Sequence, residues 1–273
     1  MARDHRYRVP FLPASFAGRR VLDVGTFDGF YAYLAEHRGA TRVVAVDNEQ
    51  YVAWVKARWG VVLKGGEGFR AIGALLGSRV QYVRGDALTL RDTGERFDVI
   101  FCFGILHRVE NPLGLMRALG ERLAPGGHLL VETYGIAHDG RVDERATIEV
   151  QQRGGIYPGD EFVYWGFGAG GLTALAGLAG FTEATIGGHG DDRRASARAG
   201  RTRASRRVIM LPARARRSPP RRKGGRSLVT QSGRSARRRL RIARPSRSSR
   251  AGDVALARSA PMVAAALWPC GPI

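Results

Sequence analysis

The chain has 273 residues, 44% hydrophobic and 25% charged, enough apolar material for one sizeable core, with a second small domain possible but not required. Its two cysteines exclude a disulfide framework and a four-cysteine zinc site, which points to a reducing, cytoplasmic setting with no metal site; no apolar run reaches the roughly 18 residues of a membrane span, and no long apolar stretch of a secretory signal follows Met1 to Arg6. The net charge of +20 belongs to one end: residues 190–273 hold 23 of the 44 Lys and Arg and three of the 24 Asp and Glu, so the first 189 residues are neutral and the +20 is no sign that they bind nucleic acid.

Along the front part, apolar strand-like runs alternate with helical patterns, as in a protein built of βαβ units around a parallel sheet. Arg20 to Val24 reads as the first strand and Phe30 to His37 as its helix. Thr41 to Val46 is the second strand, followed by a helix over Asn48 to Trp59. Phe69, Ile72, Leu75 and Leu76 recur at helical spacing within Glu67 to Leu76. Arg79 to Val83 is the third strand. Phe97 to Phe103 is the fourth, and it is nearly all apolar, as a strand covered on both faces must be. Pro112 sits near the first turn of a helix running to Leu123, and Ala124-Pro125-Gly126-Gly127 predicts a stop and turn before a fifth strand over His128 to Tyr134. Leu172 to Ala179 is a last helix, stopped by Gly180, and Phe181 to Ile186 a sixth strand. Arg207 to Leu211 is expected as a seventh, antiparallel at the sheet edge.

In an open parallel sheet, ligands sit at the carboxyl ends of the strands. After the first strand comes Gly25-Thr26-Phe27-Asp28-Gly29, with glycines where a tight turn and a close-lying ligand need them. After the second comes Asp47, 22 residues beyond Gly25; after the third, Gly85-Asp86-Ala87; after the fourth, Gly104-Ile105-Leu106-His107. A glycine-rich turn with an acid ending the second strand also suits a nicotinamide dinucleotide, and so an oxidoreductase. That reading needs glycines at 27 and 30, where a pyrophosphate lies against the backbone and helix meets strand, and both positions are Phe. A nucleoside without phosphates has no such need. Asp47 offers two acceptor oxygens to a ribose, and Asp86 an acceptor to an adenine amino group. Those contacts describe S-adenosylmethionine better than a dinucleotide.

The string Val21 to Phe30 resembles motif I of the class I S-adenosylmethionine-dependent methyltransferases. Asp47 matches that family's ribose-binding acid, Gly85-Asp86-Ala87 its adenine-side motif, Gly104 to Pro112 its strand-four motif, and Leu123 to Gly127 the turn before its fifth strand. The resemblance covers about 20–190. It implies a Rossmann-like, doubly wound, mostly parallel α/β sheet, with S-adenosylmethionine as cofactor, and cofactor contacts from Asp23, Gly25, Thr26, Phe27, Gly29, Asp47, Asn48, Asp86, Ala87 and Phe103. The middle segment is also similar to the branch that includes the tRNA wobble-uridine methyltransferases. Two positions depart from the pattern: the usual glycine at 27 is Phe, and the usual second histidine at 108 is Arg.

The expected activity is methyl transfer to an acceptor that is either a small molecule, which the neutral front part favours, or tRNA. His107 is the best-placed general base, because imidazole titrates near neutrality; it also reads, and more readily, as a structural or substrate-lining residue. Glu132 and Tyr134 are secondary candidates, and Asp23 has a second reading as a brace of the loop. The aromatic segment 156–168 reads as a cover for the acceptor pocket or as a packed edge of the core. Cys102, in an apolar strand, reads as an inert core thiol. The expected division is an N-terminal extension over 1–19, a methyltransferase domain over 20–212, and a basic low-complexity tail over 213–273 that is too poor in apolar residues to order. Three readings of this tail stand: an arm binding nucleic acid through residues 193–258, alone or as the whole function of a catalytically silent protein; a solvated extension; or translation of a GC-rich gene out of frame.

Overall fold

The computed structural model describes His5 and residues 8–88, 94–138, 141–152, 162–191 and 206–214. The first strand, β1 (Arg20–Val24), is followed by α1 (Phe30–His37), β2 (Arg42–Asp47), α2 (Tyr51–Trp59), α3 (Glu67–Leu76) and β3 (Gln81–Arg84). The second half runs through β4 (Phe97–Phe103), α4 (Pro112–Arg122), β5 (Leu123–Gly135), β6 (Ala137–His138), β7 (Arg141–Val142), β8 (Ile148–Val150), β9 (Trp165–Phe167), α5 (Ala169–Leu178), β10 (Thr185–Asp191) and β11 (Arg206–Arg214). Across the main sheet the order is β10-β11-β5-β4-β1-β2-β3, with β9 joined to the end of β5 and β8 to β9. From β3 to β5 all pairings are parallel. The chain leaves β1 toward β2 and β3, then returns to lay β4 on the other side of β1. That reversal opens a crevice at the carboxyl ends of β1 and β4.

Both faces of the sheet are covered, so its strands are apolar on both sides. One face packs Leu22, Val24, Ile100, Cys102 and Val131 against Leu115, Met116 and Leu119 of α4 and Leu172 and Leu175 of α5. The other packs Val21, Val43, Val99 and Phe101 against Tyr31, Ala32 and Ala35 of α1 and Phe69 of α3. Leu12 and Phe16 belong to this second core, so the segment before β1 is built into the fold. Burial also pushes the Cys102 thiol up to about 12, as an inert core thiol requires. Asn111 caps α4 by accepting from the Gly114 amide at 2.7 Å, and Pro112 takes the first helical position, where its missing N–H costs nothing.

Several expectations need correction. The segment Ala124 to Gly127 falls inside the bounds of β5 rather than before it, where it makes an irregularity in the pairing with β4, between Phe97↔Leu123 and Val99↔His128. Gly126 takes φ +76°, and a side chain at Gly127 would meet the carbonyls of Phe97 and Asp98, so the two glycines let the strand start early. The seventh strand is antiparallel as expected, but it sits between β5 and β10 rather than at the edge. It runs to Arg214, two residues into the expected tail. Of the proposed nucleic-acid arm over 193–258, residues 206–214 are thus committed to the sheet, while 193–205 and 215–258 lie outside the described residues. The short strands β6 to β9 carry too few residues to leave a period-2 signal. Among the described residues, no helix is long and apolar enough to cross a membrane.

Candidate functional site

The turn after β1 is tied to the end of β2. The amides of Gly25 and Thr26 both donate to the Val46 carbonyl, at 2.8 and 3.1 Å. Gly25 (φ +72°) and Gly29 (φ +89°) lie in the left-handed region, and a side chain at either would overlap a neighbour: Ile105 at the first, the Tyr33 and Phe69 rings at the second. Both glycines are therefore required by the turn itself. Thr26 is buried and its hydroxyl donates to Asp23 at 2.7 Å. Asp23 thus braces the loop.

Asp47 closes the arrangement. Its Oδ2 accepts from the Phe27 amide at 2.8 Å and its Oδ1 from the Glu49 amide at 2.6 Å. Burial raises its carboxyl above the ordinary value; the two amide bonds oppose that shift and the Glu49 charge adds to it. Glu49 is the residue that sequence reasoning missed. It is buried, its carboxylate accepts from the Tyr82 hydroxyl at 2.8 Å, and it pairs with Arg84 at 2.9 Å. Nothing in the sequence marks it, because its turn position ordinarily calls for Gly or Asn. Asn48 beside it is exposed and accepts from the Gln50 amide at 3.2 Å. This turn delays α2 to Tyr51, three residues after the expected start.

Beyond β3, the Gly85 amide donates to the Asp47 carbonyl at 2.9 Å, which brings the third strand end against the second. Asp86 is exposed, and its Oδ1 accepts from the Leu88 amide at 2.7 Å in a short turn that holds Ala87 against the core. Asp23, Gly25, Thr26, Phe27 and Asp47 therefore form one bonded group, with Asn48, Asp86 and Ala87 on its margin.

The ends of β4 and β5 form the other half of the crevice. Phe103 stacks on Phe101, with centroids 5.4 Å apart, and meets Tyr31 edge-on at 4.8 Å. The Arg8 guanidinium lies over both the Tyr31 and Phe103 rings, so Phe103 is built into an aromatic cluster beneath it. Arg8 also donates to Glu132 at 2.8 Å, a buried ion pair joining the N-terminal segment to β5. His5 stacks on Phe30 at 3.7 Å and places Nδ1 2.8 Å from the Tyr31 hydroxyl. No sequence signal marks Arg8; it is one basic residue among several near the start. His107 lies in a short 3₁₀ turn, 2% exposed, with Nδ1 3.2 Å from Thr133 Oγ1 and its ring 4.2 Å from that of Tyr134. Its carbonyl accepts from the Tyr164 amide at 2.8 Å, and Trp165 Nε1 donates to Val109 at 2.8 Å. The described part of the aromatic segment is thus packed onto the His107 turn and β5, with Phe167 fully buried; residues 156–161 lie outside the described residues.

Burial pushes the Asp23 carboxyl up to about 7; the Thr26 bond opposes that shift, and the charges of Asp47 and Asp28 add to it. The native chain therefore binds this proton more tightly than the unfolded chain, whose aspartates titrate near about 4. The contribution to stability is complete below about pH 4 and falls as pH rises toward about 7, by on the order of 4 kcal/mol. Urea midpoints across that range should decline with pH in the wild type and much less in Asp23→Asn. An equal slope in both would assign the dependence to other groups.

A doubly wound parallel sheet with a tight glycine turn and an acid at the first two strand ends defines a nucleoside-binding α/β domain. Residues 2–168 match the family described as methyltransferase domain, and the chain belongs to that family. Residues 2–168 are thus a methyltransferase domain, and the nicotinamide reading is set aside. The chain is 29% identical over 133 residues to the tRNA U34 carboxymethyltransferase of Campylobacter hominis, covering 49% of this chain and 41% of that protein. It therefore spans less than half the length of this curated relative. Among solved structures, an S-adenosylmethionine-dependent methyltransferase from Mesorhizobium loti aligns with TM-score 0.54 and 22% identity over 78% of this chain and 98% of that one. Phosphoethanolamine N-methyltransferase 2 of Haemonchus contortus, solved with phosphomonomethylethanolamine and S-adenosylhomocysteine, aligns with TM-score 0.55 and 15% identity, covering 76% and 51%. At these identities the structures establish the fold.

Proposed function

We propose that the chain transfers a methyl group from S-adenosylmethionine to a small-molecule acceptor. The cofactor would lie over the ends of β1, β2 and β3, and the acceptor over those of β4 and β5. The observation that carries this is the Asp47 carboxylate. Two backbone amides fix its orientation and use one acceptor position on each oxygen. Each oxygen has a second lone pair to offer, the pattern that two vicinal hydroxyls of a ribose require. Gly25 and Thr26 bring the backbone close on one side, Phe27 and Gly29 complete that loop, Asn48 flanks the ribose acid, and Asp86 and Ala87 take the adenine side. Phe103 contributes a wall from beneath Arg8.

When bound, S-adenosylmethionine supplies an electrophilic methyl group on a sulfonium centre, so the protein need only orient the acceptor and take up a proton. His107 is assigned that proton, with Thr133 Oγ1 and the Tyr134 ring setting its orientation. The neutral first 189 residues supply little of the cationic surface that a polyanion needs, which favours a small acceptor. Similarity to tRNA U34 carboxymethyltransferases supports tRNA as the second reading.

Incubation with methyl-tritiated S-adenosylmethionine, against a metabolite extract and against total tRNA, separates the two. Label in the small-molecule fraction alone is the expected result, and label in tRNA would overturn the acceptor assignment. With an acceptor in hand, His107→Ala should cut turnover at least about 100-fold, the usual weight of a general base, with the cofactor Kd near wild type. Surviving turnover would show that the proton leaves by another route.

A further inference from the structure

Among the described residues, two that are not glycine adopt a left-handed backbone: Phe27 (φ 53°) and Glu49 (φ 58°). Their amides are the two that Asp47 holds. For residues with a side chain, this conformation is disfavoured, and such strain persists only where surrounding contacts enforce it. Glu49 is accounted for within the fold by its bonds to Tyr82 and Arg84. Phe27 is not. The bond to Asp47 uses only its backbone, which glycine would offer without strain. The Phe27 side chain is 56% exposed and meets the Tyr51 ring edge-on, with centroids 5.0 Å apart. A large apolar ring on a strained backbone, half in solvent, does not serve the core.

What lies beside it points to its use. The ring stands at the rim between β1 and β2, on the residue bonded to the Asp47 carboxylate. We propose that the Phe27 side chain is a retention residue for the cofactor: with Tyr51 it walls the mouth above Asp47, packs against the apolar part of the adenosyl group, and slows its release. This rests on the assignment of Asp47 to the ribose. Because the carboxylate fixes the backbone that carries the ring, polar recognition and apolar cover are set by one hydrogen bond.

Phe27→Gly separates ring from backbone, since glycine adopts the left-handed conformation freely. In the full chain it should melt no lower than the wild type, yet bind S-adenosylhomocysteine about tenfold more weakly by calorimetry. The loss should lie in a faster off-rate by stopped-flow. Phe27→Trp should restore slow release, and Phe27→Asn, also tolerant of this backbone, should behave as the glycine variant. Wild-type Kd and off-rate in Phe27→Gly would overturn the proposal while leaving the Asp47 assignment intact. No binding of S-adenosylhomocysteine by the wild type would instead overturn the cofactor site itself, and the proposal with it.

Discussion

Replacing Glu132 with glutamine is expected to destabilise the protein by about 3–5 kcal/mol, because it leaves the buried Arg8 charge without its carboxylate. Glu132 is 1% exposed and Arg8 8%. The Tyr31 and Phe103 rings under the guanidinium offset part of that loss, since each such contact is worth about 0.5–2 kcal/mol. The measurement is the urea midpoint at constant m. A shift below about 1 kcal/mol would mean that water reaches the pair and that the N-terminal segment stands open in solution. The double variant Arg8→Met with Glu132→Met removes both charges and leaves no unpaired polar group, and should recover much of the loss, as apolar replacements of buried pairs do. The same variants test Glu132 as a proton acceptor: its Oε2 already holds Arg8, so lost turnover in Glu132→Gln that the double variant restores reports packing rather than base chemistry.

The parallel sheet was legible because its strands are covered on both faces and read as unbroken apolar runs; β1 and β4 have the expected bounds. The strand ends were legible because glycine and carboxylates stand at turn positions where few other residues serve. Three features escaped for separate physical reasons. The place of β11 depends on pairing between residues about 80 apart in sequence, Met210 with Val131 for example, and local periodicity carries no information about a partner. The role of Arg8 depends on a contact 124 residues away. The two left-handed residues violate local preference, so a reading built on preference passes over them; such violations concentrate where a site, and not the chain's own propensity, sets the backbone. Asp47 shows both sides: its place at the end of β2 was visible, while the two amides that use half of its acceptor capacity were not.

Asp47→Ala should weaken S-adenosylhomocysteine binding by more than about tenfold, since a hydrogen bond to a charged group contributes roughly 1.5–3 kcal/mol. The effect has two sources, and they can be told apart. One is direct loss of the ribose acceptor. The other is release of the Phe27 and Glu49 amides, which lets two strained turns relax and disperses the walls of the site. Asp47→Asn keeps one acceptor oxygen and so one of the two amide bonds, and should fall between alanine and wild type. A ribose-modified ligand isolates the direct part. If Asp47 grips the hydroxyls, a 2′,3′-dideoxy analogue of S-adenosylhomocysteine binds the wild type weakly, and Asp47→Ala costs it less than it costs the parent compound, leaving a coupling energy between side chain and diol. Equal penalties for both ligands would mean that Asp47 acts only by shaping the loops. An unchanged Kd for the parent compound in Asp47→Ala would place the ribose elsewhere along the rim, with Glu49 as the next acid to test.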